Sequence, residues 1–264
     1  RIRRIDGLTG NITTVAGNGT PEAQGDGGAA TAAQLSRPQG VSVHSSGDLY
    51  IADSGNRVIR RVDAATGLIE TFVGSGQLGE VPAGILIPRE LASFSEIVDV
   101  WTTESTLFIA DGAIPGGGGN NIIIQARLGD SDVSRIAGTG NEEFSGDGSA
   151  AIDAGLSVEQ MATTLDFFVF ADFLNHRVRQ LEVIVPEGDS IEVSVMSTIA
   201  GRGLTLGDVL SGFTFSGDGG PATDARLQNP SGIAADETGN VYIADTQNHR
   251  VRAIEFDGSI VTLA

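Results

Sequence analysis

Gly217 to Ile254 reads GDGGPATDARLQNPSGIAADETGNVYIADTQNHRVRAI, and the same line recurs without a gap 192 residues earlier, as GDGGAATAAQLSRPQGVSVHSSGDLYIADSGNRVIRRV from Gly25 to Val62. A match of that length makes the chain a repeat protein, and repeats decide the fold before any strand is assigned. A third copy starts at Gly146-Asp147-Gly148, passes Leu156, and reaches Phe170-Ala171-Asp172 and Asn175-His176-Arg177 after a two-residue deletion. The fourth is degenerate. It keeps Phe108-Ile109-Ala110-Asp111, puts the glycine run Gly116 to Gly119 in place of the following turn, and has lost the GDGG loop.

Each copy predicts four short antiparallel strands. In the best one, Gly232 to Asp236 is an apolar run, and Thr238-Gly239-Asn240 supplies a tight turn where positive φ is needed. Val241 to Asp245, His249 to Glu255 and Ser259 to Ala264 follow as strands, the last after an Asp257-Gly258 turn. No segment sustains a 3.6-residue period, so no helix is available to cover the faces of such a sheet. Face-to-face packing of successive copies around an axis is the simplest remedy, which makes an all-β propeller of four-stranded blades. Small residues such as Ala52, Ala234 and Ala244 suit the convergence of neighbouring blades.

The pattern GDGGPAT, a P-x-G and then YIAD-x-x-NHR resembles the NHL repeat family. Similarity covers four units and a partial one, with Arg1-Ile2-Arg3-Arg4-Ile5 standing for Arg250 to Ile254. The resemblance implies a propeller that usually closes with six blades. It leaves function open, since the family includes extracellular adhesion modules, sensors, RNA-binding ubiquitin-ligase modules and a few lyases. Read in this register, residues 1–264 form one propeller domain: a partial blade over 1–19, then blades over about 20–76, 77–140, 141–203 and 204–264. With a mean period of 64 residues, 264 residues supply about four blades and a half. The chain is therefore expected to be an ordered portion of a longer polypeptide.

Composition narrows the partners. A formal charge of −18 opposes phosphate backbones, so nucleic acid is not expected; the RNA-binding relatives rely on a positive face that this chain lacks. The one dense basic cluster, Arg1, Arg3 and Arg4, falls on strand positions of the repeat. No run approaches the roughly 20 apolar residues of a membrane helix. Cysteine is absent, so neither disulfides nor thiolate sites arise. Sequons at Asn11 and Asn18 are glycan acceptors in a secreted eukaryotic chain.

Candidate chemistry resolves mainly into structure. Asp245 and Arg250 flank a four-residue connection and face one another across a hairpin, as do Asp172 and Arg177; both are read as structural ion pairs. Val58 replaces the arginine in the first copy, so Asp53 is left to another partner or water. A catalytic zinc needs about three converging ligands. His176 and His249 instead repeat one position on separate blades, while His44 lies beside a turn, and turn hydrogen bonding is expected of them. Asp26, Asp147 and Asp218 of the GDG loops read as turn aspartates rather than a calcium loop. No G-x-S-x-G follows a strand, and Gly116 to Gly119 lacks the lysine of a phosphate loop. No metal and no cofactor are expected.

Three functions stay open. The leading one is a non-catalytic extracellular or cell-surface scaffold binding protein or glycan. A structural subunit of an extracellular filament, contacting copies of itself, is the second, and a propeller lyase the third. Partner contacts are expected on the divergent insertions Ala113 to Asn121 (Ile114, Pro115) and Val185 to Val193 (Val185, Pro186, Ile191, Val193), because loops on a rigid frame are free to vary.

Overall fold

The computed structural model describes residues 1–112, 119–163, 168–184, 193–205, 208 and 215–264. Nineteen strands are formed among them. β1 (Ile2–Ile5) and β2 (Ile12–Ala16) make a two-stranded hairpin. β3 (Pro38–Val43), β4 (Leu49–Asp53), β5 (Val58–Val62) and β6 (Ile69–Val73) form a four-stranded antiparallel meander. The next sheet has five strands in the order β7-β11-β10-β9-β8: β7 (Ile87–Pro88), β8 (Ile97–Thr102), β9 (Thr106–Asp111), β10 (Ile122–Arg127) and β11 (Asp132–Ala137). β12 (Val158–Thr163), β13 (Phe168–Asp172), β14 (Arg177–Ile184) and β15 (Val193–Ala200) form another meander. β16 (Pro230–Ala235), β17 (Val241–Asp245), β18 (Arg250–Ile254) and β19 (Ile260–Thr262) form the last.

The architecture is all-β, of β-propeller blades. Second strands such as Tyr50-Ile51-Ala52-Asp53 and Phe168 to Asp172 are buried along their length. A strand covered on both faces has no polar side to alternate with, hence its continuous apolar run. Two compact units are distinguished, one of Arg1–Ile114 with Ile124–Ser134, the other of Pro115–Ile123 with Arg135–Ala264. In the first, Ala16, Leu35, Ile51, Val62 and Ile69 share an apolar core. In the second, Val169, Val178, Leu227, Ile233, Ile243 and Ile260 do the same.

Two local devices position the charged residues. The GDG loop needs its first glycine: Gly25, Gly146 and Gly217 have φ of 103°, 86° and 107°, and a Cβ on each would lie 2.8, 2.6 and 2.6 Å from the Cα of Ala33, Ala154 and Ala225. In the degenerate blade Asn121, just before β10, is left-handed at φ 49°. After the second strand of each regular blade a tight turn ends in a residue of the same conformation: Arg57, His176 and His249, with φ of 55°, 56° and 54°. That turn returns the chain so that Asp53 pairs with Val58, Asp172 with Arg177 and Asp245 with Arg250 across the strands.

Candidate functional site: a repeated buried aspartate–arginine relay

A buried aspartate and a buried arginine recur as one motif in each of the three regular blades. In the β12–β15 sheet, Asp172 closes the second strand with no solvent exposure. Its Oδ1 accepts the Ser157 N–H at 2.7 Å and Asn175 Nδ2 at 2.8 Å, while Oδ2 faces Arg179 Nη1 at 3.5 Å. Arg179, likewise fully buried, donates through Nη1 to the Gly155 carbonyl and through Nη2 to Asp147 Oδ1, both at 2.8 Å. Asp147 is the GDG-loop aspartate, and its other oxygen accepts the Thr198 N–H at 3.2 Å.

The other two copies match it. In the β3–β6 sheet, Asp53 accepts from Ser36 N–H at 2.7 Å, Asn56 Nδ2 at 2.8 Å and Arg60 at 3.4 Å, and Arg60 pairs with Asp26. In the last sheet, Asp245 accepts from Gln228 N–H at 2.7 Å and Asn248 Nδ2 at 2.8 Å and faces Arg252 at 3.8 Å; Arg252 reaches Asp218 at 2.7 Å. Burial pushes the Asp172 carboxyl up to about 6, with Arg179 and the hydrogen bonds opposing the rise. Asp53 and Asp245 are raised by the same cause.

These pairs correct the expected ones. Asp245 and Arg250, and Asp172 and Arg177, are opposite one another in the ladder, but the arginine that closes on each aspartate stands two residues later, on the same face. The GDG-loop carboxylate draws Arg179 and Arg252 inward. Arg177 and Arg250 lie instead over aromatic rings, at 3.5 Å from the Phe144 centroid and 4.2 Å from that of Phe215. Asp53, opposite Val58, finds Arg60. The loop aspartates are thus one end of an ion pair as well as turn residues. Arg60, Arg179 and Arg252 escaped the sequence reading, although they occupy one repeat position; the signal was their recurrence in register.

Among the described residues of the degenerate blade no such relay is formed. By the equivalence of Asn121 with Arg57, Ile124 takes the arginine position and is fully buried. Asp111 accepts instead from the Ser95 hydroxyl at 2.7 Å, the Ser95 N–H at 3.1 Å and the Glu96 N–H at 2.9 Å.

Chemically, the strand-end carboxylate of each relay is committed to its own blade, while the Nε of Arg60, Arg179 and Arg252 is buried without a hydrogen-bond partner among the described residues. The strand-end carboxylates already accept two or three hydrogen bonds from their own blade, and serving a metal or substrate would require dismantling it. Among the described residues no group of three or more His, Asp or Glu is placed to hold a metal. His176 Nδ1 accepts the Asn229 N–H at 3.0 Å, and burial lowers its pKa. His44 bonds the Ser46 hydroxyl at 2.8 Å. Asn11 and Asn18 are both exposed; the Asn18 side chain donates to the Ala32 carbonyl at 3.0 Å. Ile114, Pro115, Val185, Pro186 and Ile191 lie outside the described residues. Val193 opens β15, which pairs with β14 through Ile184↔Val193.

Four-stranded blades tied by a GDG loop, a strand-end aspartate and a following Asn define an NHL-type propeller. The family model of the teneurin NHL domain matches residues 1–254, and the chain belongs to that family. It is similar to teneurin-1 of Gallus gallus, 27% identical over 281 residues that cover 94% of this chain and 9% of the relative. The chain thus spans about a tenth of the curated relatives it matches first. Among solved structures, it is similar to a putative phosphatase of Bacteroides thetaiotaomicron (TM-score 0.59, 15% identity, 96% of this chain and 50% of that one). An auxiliary nutrient binding protein of the same organism is comparable (TM-score 0.57, 17% identity, 96% and 50%). Two such different proteins on one architecture mean that these structures share a fold with the chain and carry no function to it.

Proposed function

We propose that the chain is a non-catalytic binding propeller of an extracellular or cell-surface protein, engaging a protein or glycan partner. The observation that carries this reading is the use of the repeat's charged residues. Asp53 and Arg60 and their counterparts are buried in the blades, and each arginine ties down the exposed GDG-loop aspartate, Asp26 in the first blade, so that the loops form a rigid frame. Recognition then falls to side chains outside the repeat motif. Membership of the teneurin NHL family supports a binding role, and the exposure of both sequon asparagines supports a secreted setting.

The test is direct. A fluorescent, tagged chain is applied to intact animal cells and to a glycan array, and in parallel is assayed against a chromogenic phosphomonoester and a lactone lyase substrate with added zinc or calcium. Saturable binding without turnover is expected. Metal-dependent turnover that a chelator removes, with no saturable binding, would replace this reading with an enzyme.

A further inference from the structure

We propose that the loop leading into β8 is a docking surface for a protein segment whose apolar face is flanked by Lys and Arg. This rests on the binding reading above and gives it a place.

In the three regular blades the corresponding loop carries GDG and then an inward leucine, Leu35, Leu156 or Leu227, each buried. In the degenerate blade the loop from Gly74 to Phe94 presents four large aliphatic side chains outward: Leu78 at 71% exposure, Ile85 at 54%, Leu86 at 69% and Leu91 at 63%. Their exposure does not come from a missing fold. Val81 and Phe94 are fully buried beneath, and the backbone is tied by Gly74 N–H to the Arg89 carbonyl (2.9 Å), Ser75 N–H to Ala92 (2.7 Å) and an isolated bridge between Leu78 and Phe94. An ordered loop that holds four large aliphatic side chains in water offers apolar surface to a partner.

Charge selects the occupant. Glu80 and Glu90 stand exposed within the same loop, and Arg89 is held over the Phe72 ring at 4.4 Å. The chain as a whole carries −18. A second copy would bring the same charge, and an anionic bilayer would repel it as well. A segment with apolar side chains between basic ones meets both features.

The test uses the full chain and synthetic amphipathic Leu/Lys, Leu/Glu and Ser/Lys peptides of equal length. The Leu/Lys peptide should bind at least about tenfold more tightly than the other two, and weaken as salt rises. The triple variant Leu78→Ser, Leu86→Ser, Leu91→Ser should lose about tenfold or more with an unchanged melting profile, while Leu68→Ser with Phe256→Ser, exposed elsewhere, retains binding. If the triple variant does not fold, Glu80→Lys with Glu90→Lys should transfer preference toward the Leu/Glu peptide. Equal peptide binding by a folded triple variant, or no change in preference on charge reversal, overturns the proposal. So does preference for phosphatidylcholine vesicles, or a dimer that the triple variant dissolves. Saturable cell binding kept by the triple variant would sink this surface and leave the binding reading standing.

Discussion

The regular blades and the degenerate one share a four-stranded meander, to which the degenerate one adds β7, but differ in how they treat their buried strand-end aspartate. In the β12–β15 sheet, Asp172 is answered by Arg179, and Arg179 by Asp147. In the β7–β11 sheet, Asp111 is answered by the Ser95 hydroxyl and two backbone N–H groups, with Ile124 where the arginine stood and no GDG loop. Arginine and loop aspartate are missing together. A buried guanidinium deprived of one carboxylate is costly, whereas an apolar side chain in its place is tolerated once both charges go. The pair therefore behaves as one unit, and its loss frees the loop to carry other chemistry. The outward Leu78, Leu86 and Leu91 occupy that freed loop.

A companion pairing varies in the same way. Phe144 and Phe215 sit two residues before their GDG glycines, and each ring lies beneath two arginines, Arg177 with Arg179 and Arg250 with Arg252. The first blade has Ala23 at the aromatic position and Val58 at the outer arginine position. Aromatic and arginine are absent together there, as expected if each supports the other.

The comparison can be broken most sharply at the inner arginine. Arg252→Ala should cost about 3–5 kcal/mol, because it strands the buried Asp245 and frees Asp218, whereas Arg250→Ala should cost about 0.5–1 kcal/mol through its stacking on Phe215. Urea denaturation of the two variants separates them; equal losses would restore the outer arginine as the partner of Asp245. Next in size, Phe144→Ala should cost about 1–2 kcal/mol, while Ala23→Phe in the first blade, which has no outer arginine to meet it, should gain nothing measurable. A stabilised Ala23→Phe variant would show that the ring needs no second arginine.

A third effect is on pH dependence. With a folded value near 6 against an ordinary 3.8, Asp172 binds its proton more readily in the native state. Its contribution is fully present below the ordinary value and is lost as pH rises through about 6. The stability of wild type relative to Asp172→Asn should therefore fall between pH 4 and pH 7 and stay level above. A difference that rises with pH over that window would mean Arg179 dominates burial.

Much of this was legible in the residues. The 192-residue shift revealed the repeat, the four-strand unit and the turns, because glycines at positive φ and continuous apolar second strands leave plain marks. The relay was half legible. Asp245, Arg250 and Arg252 share one face by strand alternation, but which arginine turns inward depends on Asp218, which precedes Arg252 by 34 residues and meets it only after the loop has folded back. Ile124 could not be recognised as the substitute for arginine, since the glycine run before it hides the register that the left-handed Asn121 restores. The outward face of the Gly74 to Phe94 loop was also hidden. Its Leu and Ile residues look like core until Val81 and Phe94 are seen to occupy the inside.

The claim that arginine and loop aspartate form one unit is tested most directly by a double-mutant cycle in the first blade, Arg60→Ile with Asp26→Ser, measured by chemical denaturation. The double variant recreates the pattern of the degenerate blade, and it should be more stable than the sum of the single losses by about 1–3 kcal/mol. Losses that simply add would contradict the account, and the absence of both residues from the degenerate blade would then be two unrelated changes.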